Sequence, residues 1–285
     1  MSNTYSATLV TAALEKTATT VLQNQFAPLA AFTRDFSADE YKPLATGVLK
    51  KVTAGSSTQT NATNFESGDS TVAAVQVTMN QYTQSFQVSN SDLNSGLRLA
   101  DLIKINAKIF AGAILDVPFA LITEANFGAA TVISAPASFG FGDLGLLMGA
   151  LKLSDVKNLV LDGDYFSQIA NQPGFFQAVS AGPGGMKPFG WDAVHPCTRW
   201  SAADANIRGF GCNPQALGMV TGLPVAEGQP GGTLSRKIIV LPGLELPVVV
   251  HTWFSLSTRT LWCSFDLMLG AAVLDPSALK LIKSA

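Results

Sequence analysis

The 285 residues are enough for one large core or two modest lobes. Only 13% of them are charged and 47% are hydrophobic, against roughly 25% charged in an average soluble domain, so much apolar surface must be covered by a large interior or by partner subunits. Net charge is −2, with no basic tract beyond Lys50-Lys51 and Arg236-Lys237, which argues against a tight nucleic-acid groove.

Membrane and secretion signals are not expected. The most apolar stretch, Ile105 to Thr123, is interrupted by Lys108, Asp116 and Pro118, whereas a spanning helix needs about 20 residues with few charges. Met1 to Leu14 has no basic n-region and no long apolar core, so no signal peptide is expected. Cys197, Cys212 and Cys263 are far apart and form no CxxC pair. Reduced, structural thiols follow, as in a protein folded in a bacterial cytoplasm.

In chain order, Ser6 to Gln25 is rich in Ala, Leu and Thr and reads as a weak helix closed by Pro28, a terminal segment free until a neighbour ties it down. Thr53 to Asn64 (TAGSSTQTNATN) has no apolar anchor and must be exposed. Val75, Val77 and Met79 then alternate with Gln76, Thr78 and Asn80, and the parity changes so that Tyr82, Phe86 and Val88 oppose Thr83, Ser85 and Gln87. That is period-two strand pattern with a bend near Asn80 and Gln81. Leu44 to Ser89 is therefore expected to be a long β-hairpin with a projecting polar tip.

Ser89, Asn90 and Ser91 are candidate N-caps, with Asp92 suited to a first turn. Leu93, Leu97, Ala100, Ile103, Ala107, Phe110, Ile114, Val117 and Leu121 follow at steps of three or four. This is one face of a helix of roughly 40 Å or more, kinked or ended at Pro118. Beyond it, Ala130 to Ser134 is a candidate strand, Asn158 to Asp162 (NLVLD) a buried strand and Tyr165 to Ala170 a short helix. Ala181 to Gly190 reads as a Gly/Pro loop, and Gln215 to Thr221 and Lys237 to Leu241 as strands. Pro247 to Ser255 and Thr260 to Leu269 form a hairpin about Ser257 and Thr258, and Asp275-Pro276 opens a short final element.

Gly140-Phe141-Gly142-Asp143-Leu144-Gly145 fits GxGxxG, and Asp162 lies about 20 residues on, where a ribose-binding acid would sit in a dinucleotide fold. Such a turn should leave its strand directly, so that backbone amides meet the pyrophosphate at a helix N-terminus. Ala135 to Phe139 intervene here and no second βαβ unit precedes, so the segment is read as a connector between lobes. His251 shares parity with Val249 and Trp253 and reads as a packed strand histidine. His195 and Cys197 form an H-x-C pair on a Pro-containing loop, short of the three or four ligands a zinc site needs. There is no GxSxG, and the glycines around Gly184 lack the Walker order because Pro188 follows Lys187. Asn61-Ala62-Thr63 fits a glycosylation sequon and marks an exposed loop, and Asp162 with Asp164 reads as a solvated strand-to-helix turn rather than a cation site.

The order of arm, polar-tipped hairpin, long helix, mixed lobe and closing strand hairpin resembles the major capsid protein fold of tailed bacteriophages, the Hong Kong 97 type, over essentially the whole chain. FAPLAAFTRDFS (Phe26 to Ser37), NFESGDSTVAAVQVTMNQYTQSFQVS (Asn64 to Ser89), DVPFALITEANFG (Asp116 to Gly128), NLVLDGDYFSQIA, GFGCNPQALGMVTG (Gly209 to Gly222) and GAAVLDPSALKLIK (Gly270 to Lys283) carry the likeness in collinear order. The resemblance implies an α+β fold with an N-terminal arm (1–43), an extended loop (44–80), a spine helix with the first part of a peripheral lobe (81–135), an axial lobe (136–208) and the rest of the peripheral lobe (209–285). It implies a virion shell protein, assembled in the host cytoplasm into hexamers and pentamers of an icosahedral head around double-stranded DNA. Separate scaffold, portal and decoration proteins would be partners, without membrane, cofactor, metal or catalytic residues. Some relatives cross-link their loops through Lys and Asn; Lys50, Lys51 and Asn61 lie in the loop, but nothing singles them out as partners. A built-in N-terminal scaffold domain is not expected. An encapsulin-like shell of a cellular nanocompartment shares the fold, and a nucleotide-dependent oxidoreductase built on Gly140 to Gly145 is the remaining alternative.

Overall fold

The computed structural model describes residues 7–53, 71–89, 96–151, 156–172, 190–197, 200, 204, 206–225, 233–255 and 260–285. The polar tip from 54 to 64, the candidate caps Asn90, Ser91 and Asp92, the Gly/Pro loop from 181 to 189 and the turn at Ser257 and Thr258 lie outside the described residues.

The organising strand is β12 (Thr260–Val273). Its Cys263, Phe265, Leu267 and Leu269 face the main core, as the alternation predicts. Three strands pair along its two edges. β4 (Asn80–Val88) pairs antiparallel along 261–269. On the other edge lie first β11 (Leu246–Ser255) and then β9 (Leu217–Pro224), since Met268 and Leu269 pair with β4 and β9 at once. β10 (Thr233–Leu241) continues beyond β11, and β1 (Thr33–Tyr41) adds in parallel to β9. β1 falls within the stretch expected as arm: TRDFSADEY has no apolar alternation, and its place is set by backbone pairing at a sheet edge.

Two helices cover the inner face of this sheet. α2 (Gly96–Phe119) is the expected spine, 24 residues or about 36 Å. It ends at Phe119, one residue past Pro118, the proline expected to kink or end it. Ile103, Ala107, Phe110 and Ile114 are fully buried, and the Phe110 ring lies 5.9 Å from that of Phe265. α1 (Ala7–Gln25) packs along α2 and reaches β10 and β11. Leu14, Ala18, Leu22 and Phe26, at steps of four, belong to the same core. The segment expected to wait for a neighbour is thus held within its own chain. Each such fully buried large side chain contributes roughly 1.5–3 kcal/mol.

A second sheet runs β5 (Val132–Ile133), β13 (Leu279–Lys283), β8 (Ile207–Cys212), β6 (Asn158–Asp162) and β7 (Ala193–Cys197). It is covered by α4 (Phe141–Leu151) and α5 (Gly163–Ala170), with the short α3 (Glu124–Phe127) beside β13. Strands from 207–212 and 279–283 therefore share a sheet with 158–162. β8 must be glycine-rich at its centre: a Cβ at Gly211 would lie 2.6 Å from the ring of the fully buried Trp191. The histidine expected on a loop, His195, sits in β7 opposite Val160, placed there by parallel pairing that a Pro-containing pentapeptide does not advertise.

Candidate functional site

The expected hairpin begins as a two-stranded ribbon. β2 (Thr46–Thr53) and β3 (Thr71–Thr78) pair antiparallel without a break, from Thr46 opposite Thr78 to Thr53 opposite Thr71. At Met79 the chain passes from the ribbon into β4; the Met79 amide donates to the Ala45 carbonyl at 2.8 Å, and the Leu44 amide to the Met79 carbonyl at 2.8 Å. This is the expected bend, one residue earlier than the parity change places it. The turn needs a left-handed residue, and Leu44 takes φ 65° there while remaining exposed.

The ribbon root presses on the outer face of the large sheet. Leu49, Val77 and Met79 form a small cluster with Val220, Met268 and Leu274. Lys51 anchors it by donating from Nζ to the Leu274 carbonyl at 2.8 Å. The close approach depends on Gly270, where a Cβ would meet Val77 Cγ1 at 2.5 Å and the Thr78 carbonyl oxygen at 2.6 Å. The opposite side of the ribbon carries Val48, which is 44% exposed. A two-stranded ribbon is marginal in water on its own, and among the described residues β2 and β3 pair only with each other.

The outward face of α2 is also apolar in part. Ile105 and Ile109, one turn apart, are 58% and 51% exposed, each directly after a lysine, Lys104 and Lys108. By length and hydropathy 98–127 passes as a membrane span, but its inner face is the packing partner of β4, β12 and α1.

The glycine-rich segment does not form a nucleotide cradle. Gly140 leads into α4, and its amide already donates at 3.0 Å to the Asp143 carboxylate three residues on, as in a capping box. β5 lies at the sheet edge beside β13, with β13 and β8 between it and β6, so the strands before and after the segment are not neighbours as a dinucleotide fold requires. Asp162 pairs with Arg208 at 3.4 Å, and Asp164 is exposed on the first turn of α5. A Cβ at Gly142 would meet nothing within 4 Å. Gly142→Val should therefore fold normally, and calorimetric titration with NAD(P) or flavins should show no saturable binding; micromolar binding lost in that variant would reverse this reading.

The other candidate residues do not converge. Cys197, Cys212 and Cys263 are buried thiols that form no disulfide. Burial pushes the Cys263 thiol up to about 12 and the Cys212 thiol higher, which makes them inert at neutral pH. Burial pushes His195 below its ordinary value. No three His, Cys, Asp or Glu side chains cluster as metal ligands among the described residues. Asn61, Gly184 and Lys187 lie outside those residues, and Lys50 is exposed on the ribbon.

One buried polar constellation escaped the sequence reading. His251 and Asp266 are both buried, with Nε2 and Oδ2 3.7 Å apart. Asp266 accepts from Ser264 Oγ at 2.6 Å and from Thr83 Oγ1 at 2.5 Å. His251 is the packed strand histidine expected. Asp266, at a polar-parity position of β12, was not singled out; a lone acid in LWCSFDLMLG was the available signal.

No family model and no curated protein matches the sequence. Among solved structures, the virus-like particle from Pyrococcus furiosus superimposes with a TM-score of 0.53 at 8% identity, covering 95% of this chain and 97% of that one. The capsid of an empty GTA particle gives 0.50 at 10% identity over 92% and 90%. At such identities the likeness is one of fold, and the fold is the α+β phage major capsid type.

Proposed function

We propose that this chain is a shell-building subunit, the major capsid protein of a tailed phage, forming hexamers and pentamers of an icosahedral head around double-stranded DNA. The observation that carries the reading is the ribbon: its root is fastened to the sheet, while its other side, with the exposed Val48, has no strand paired or packed upon it among the described residues. A neighbouring subunit supplies such cover in a closed shell. Fold likeness over nearly the whole chain supports the same reading, as does the low charge content. The exposed Ile105 and Ile109 on α2 add apolar area suited to an interface. The role needs no catalytic, cofactor or metal residue, and none is assigned. The division into arm (1–43), extended loop (44–80), spine and peripheral segments (81–135 and 209–285) and axial lobe (136–208) belongs to this proposal. So do separate scaffold, portal and decoration partners and assembly in the host cytoplasm.

Removing Ser56 to Asn61 tests the reading. Those residues are too polar to have a core of their own. The shortened chain should be soluble with an unchanged circular dichroism spectrum but should sediment as subunits or irregular products. Normal particle yield would count against the loop as an assembly element. A second reading, an encapsulin-like shell of a cellular nanocompartment, draws on the likeness to a virus-like particle. Particle contents separate the two: DNA favours a phage head and packaged enzyme a compartment.

A further inference from the structure

The outer face of the large sheet holds its polar residues in register. Arg236 on β10 lies opposite His251 on β11, His251 opposite Ser264 on β12, and Ser264 opposite Ser85 on β4. Two residues along, Asp266 lies between Val249 of β11 and Thr83 of β4. A buried carboxylate is costly unless its oxygens are satisfied. Here the hydroxyls do this: Thr83 serves Oδ1 and Ser264 serves Oδ2. The Thr83 bond links two strands, and among the described residues β4 has only β12 as a strand partner. It is also the strand that runs through Met79 into the ribbon.

His251 looks at the same Oδ2 that Ser264 occupies, from 3.7 Å, and its Nδ1 is buried without a hydrogen-bond partner among the described residues. We propose that Thr83, Ser264, Asp266 and His251 form a proton-operated latch at the root of the ribbon. With His251 neutral, the carboxylate is held by the two hydroxyls and clamps β4 to β12. When the imidazole takes a proton from solvent, the imidazolium draws the carboxylate toward β11, and β4 loosens.

The described charged groups that face His251 act in opposite senses. Burial lowers its proton affinity first, Asp266 across the row raises it, and Arg236 on the adjacent strand lowers it again. Arg236 is itself directed toward Glu40 of β1 at 3.5 Å and toward the Pro224 carbonyl at 3.4 Å. The net lowering sets the sign. The native row binds the proton less readily than the opened one, so its closure is fully favoured above the ordinary histidine value of 6.5. Closure weakens as pH falls below that value toward the native one.

Hydrogen exchange on the full chain tests the latch, with protection corrected for intrinsic rates, at about pH 7.5 and about pH 5.5, either side of an ordinary histidine. Peptides covering Asn80–Val88 should lose protection severalfold on acidification. Peptides covering Asn158–Asp162 in the second sheet should not. His251→Gln, which cannot take the proton, should abolish the selective loss, and Thr83→Val should show low protection of β4 already at the higher pH. An equal loss in wild type and His251→Gln, or no selective loss in wild type, overturns the proposal. If His251→Gln does not fold, the wild-type comparison of the two segments still decides it.

Discussion

Ile114→Asp should leave the chain unfolded or insoluble. Ile114 is fully buried on the inner face of α2, in the cluster that joins α1, α2 and the large sheet. Isoleucine to aspartate removes a branched apolar side chain and places a carboxylate among hydrocarbon. Burial without a partner costs several kcal/mol, comparable with the roughly 5–15 kcal/mol total stability of a domain. No rescue by local rearrangement is expected, because Phe110 and Ala111 one turn back, Ala107 two turns back and the adjacent Leu115 are all buried. Soluble yield and circular dichroism check this. A soluble Ile114→Asp with the native spectrum would mean that the inner face of α2 is not core.

Gly270→Val should damage a different part of the molecule. The added Cβ falls 2.5 Å from Val77 and 2.6 Å from the Thr78 carbonyl oxygen, and a backbone oxygen within a paired strand cannot step aside cheaply. Overpacking of this kind costs about 1–3 kcal/mol. The least costly relief is for the ribbon root to lift, losing the contacts of Leu49 and Val77 with Met268 and the Lys51 bond to Leu274. The subunit should therefore fold, melt several degrees lower (roughly 2–4 °C per kcal/mol at this size), become sensitive to trypsin at Lys50-Lys51 and assemble poorly. Unchanged resistance to trypsin would show that the ribbon is not fastened at Gly270. The two variants thus separate folding of the subunit from presentation of its ribbon.

Much of this architecture was legible from the sequence wherever one side of an element needs burial and the other does not. The inner stripe of α2 could be read from Ile103, Ala107, Phe110 and Ile114, and the inner face of β12 from Cys263, Phe265, Leu267 and Leu269. The bend into β4 showed as a change of parity, since crossing from ribbon to sheet at Met79 exchanges which face is covered. β1 was not legible, because an edge strand held by backbone bonds needs no apolar alternation. Nor was the sharing of one sheet by β6, β8 and β13, distant in sequence, which rests on tertiary contacts such as Trp191 over Gly211. The latch residues come from three strands; only His251 drew notice alone, and its relation to Asp266 and Thr83 exists only once β4, β11 and β12 are paired. The glycine-rich match failed for a related reason: the motif is local, whereas nucleotide binding requires two particular strands to be neighbours.

Negative-stain microscopy of the expressed wild-type protein tests the central claim most directly, with a co-expressed scaffold where the chain alone gives irregular products. Closed, uniformly sized shells are the predicted result. A chain that stays monomeric with every scaffold tried, and catalyses a reaction, would contradict the account.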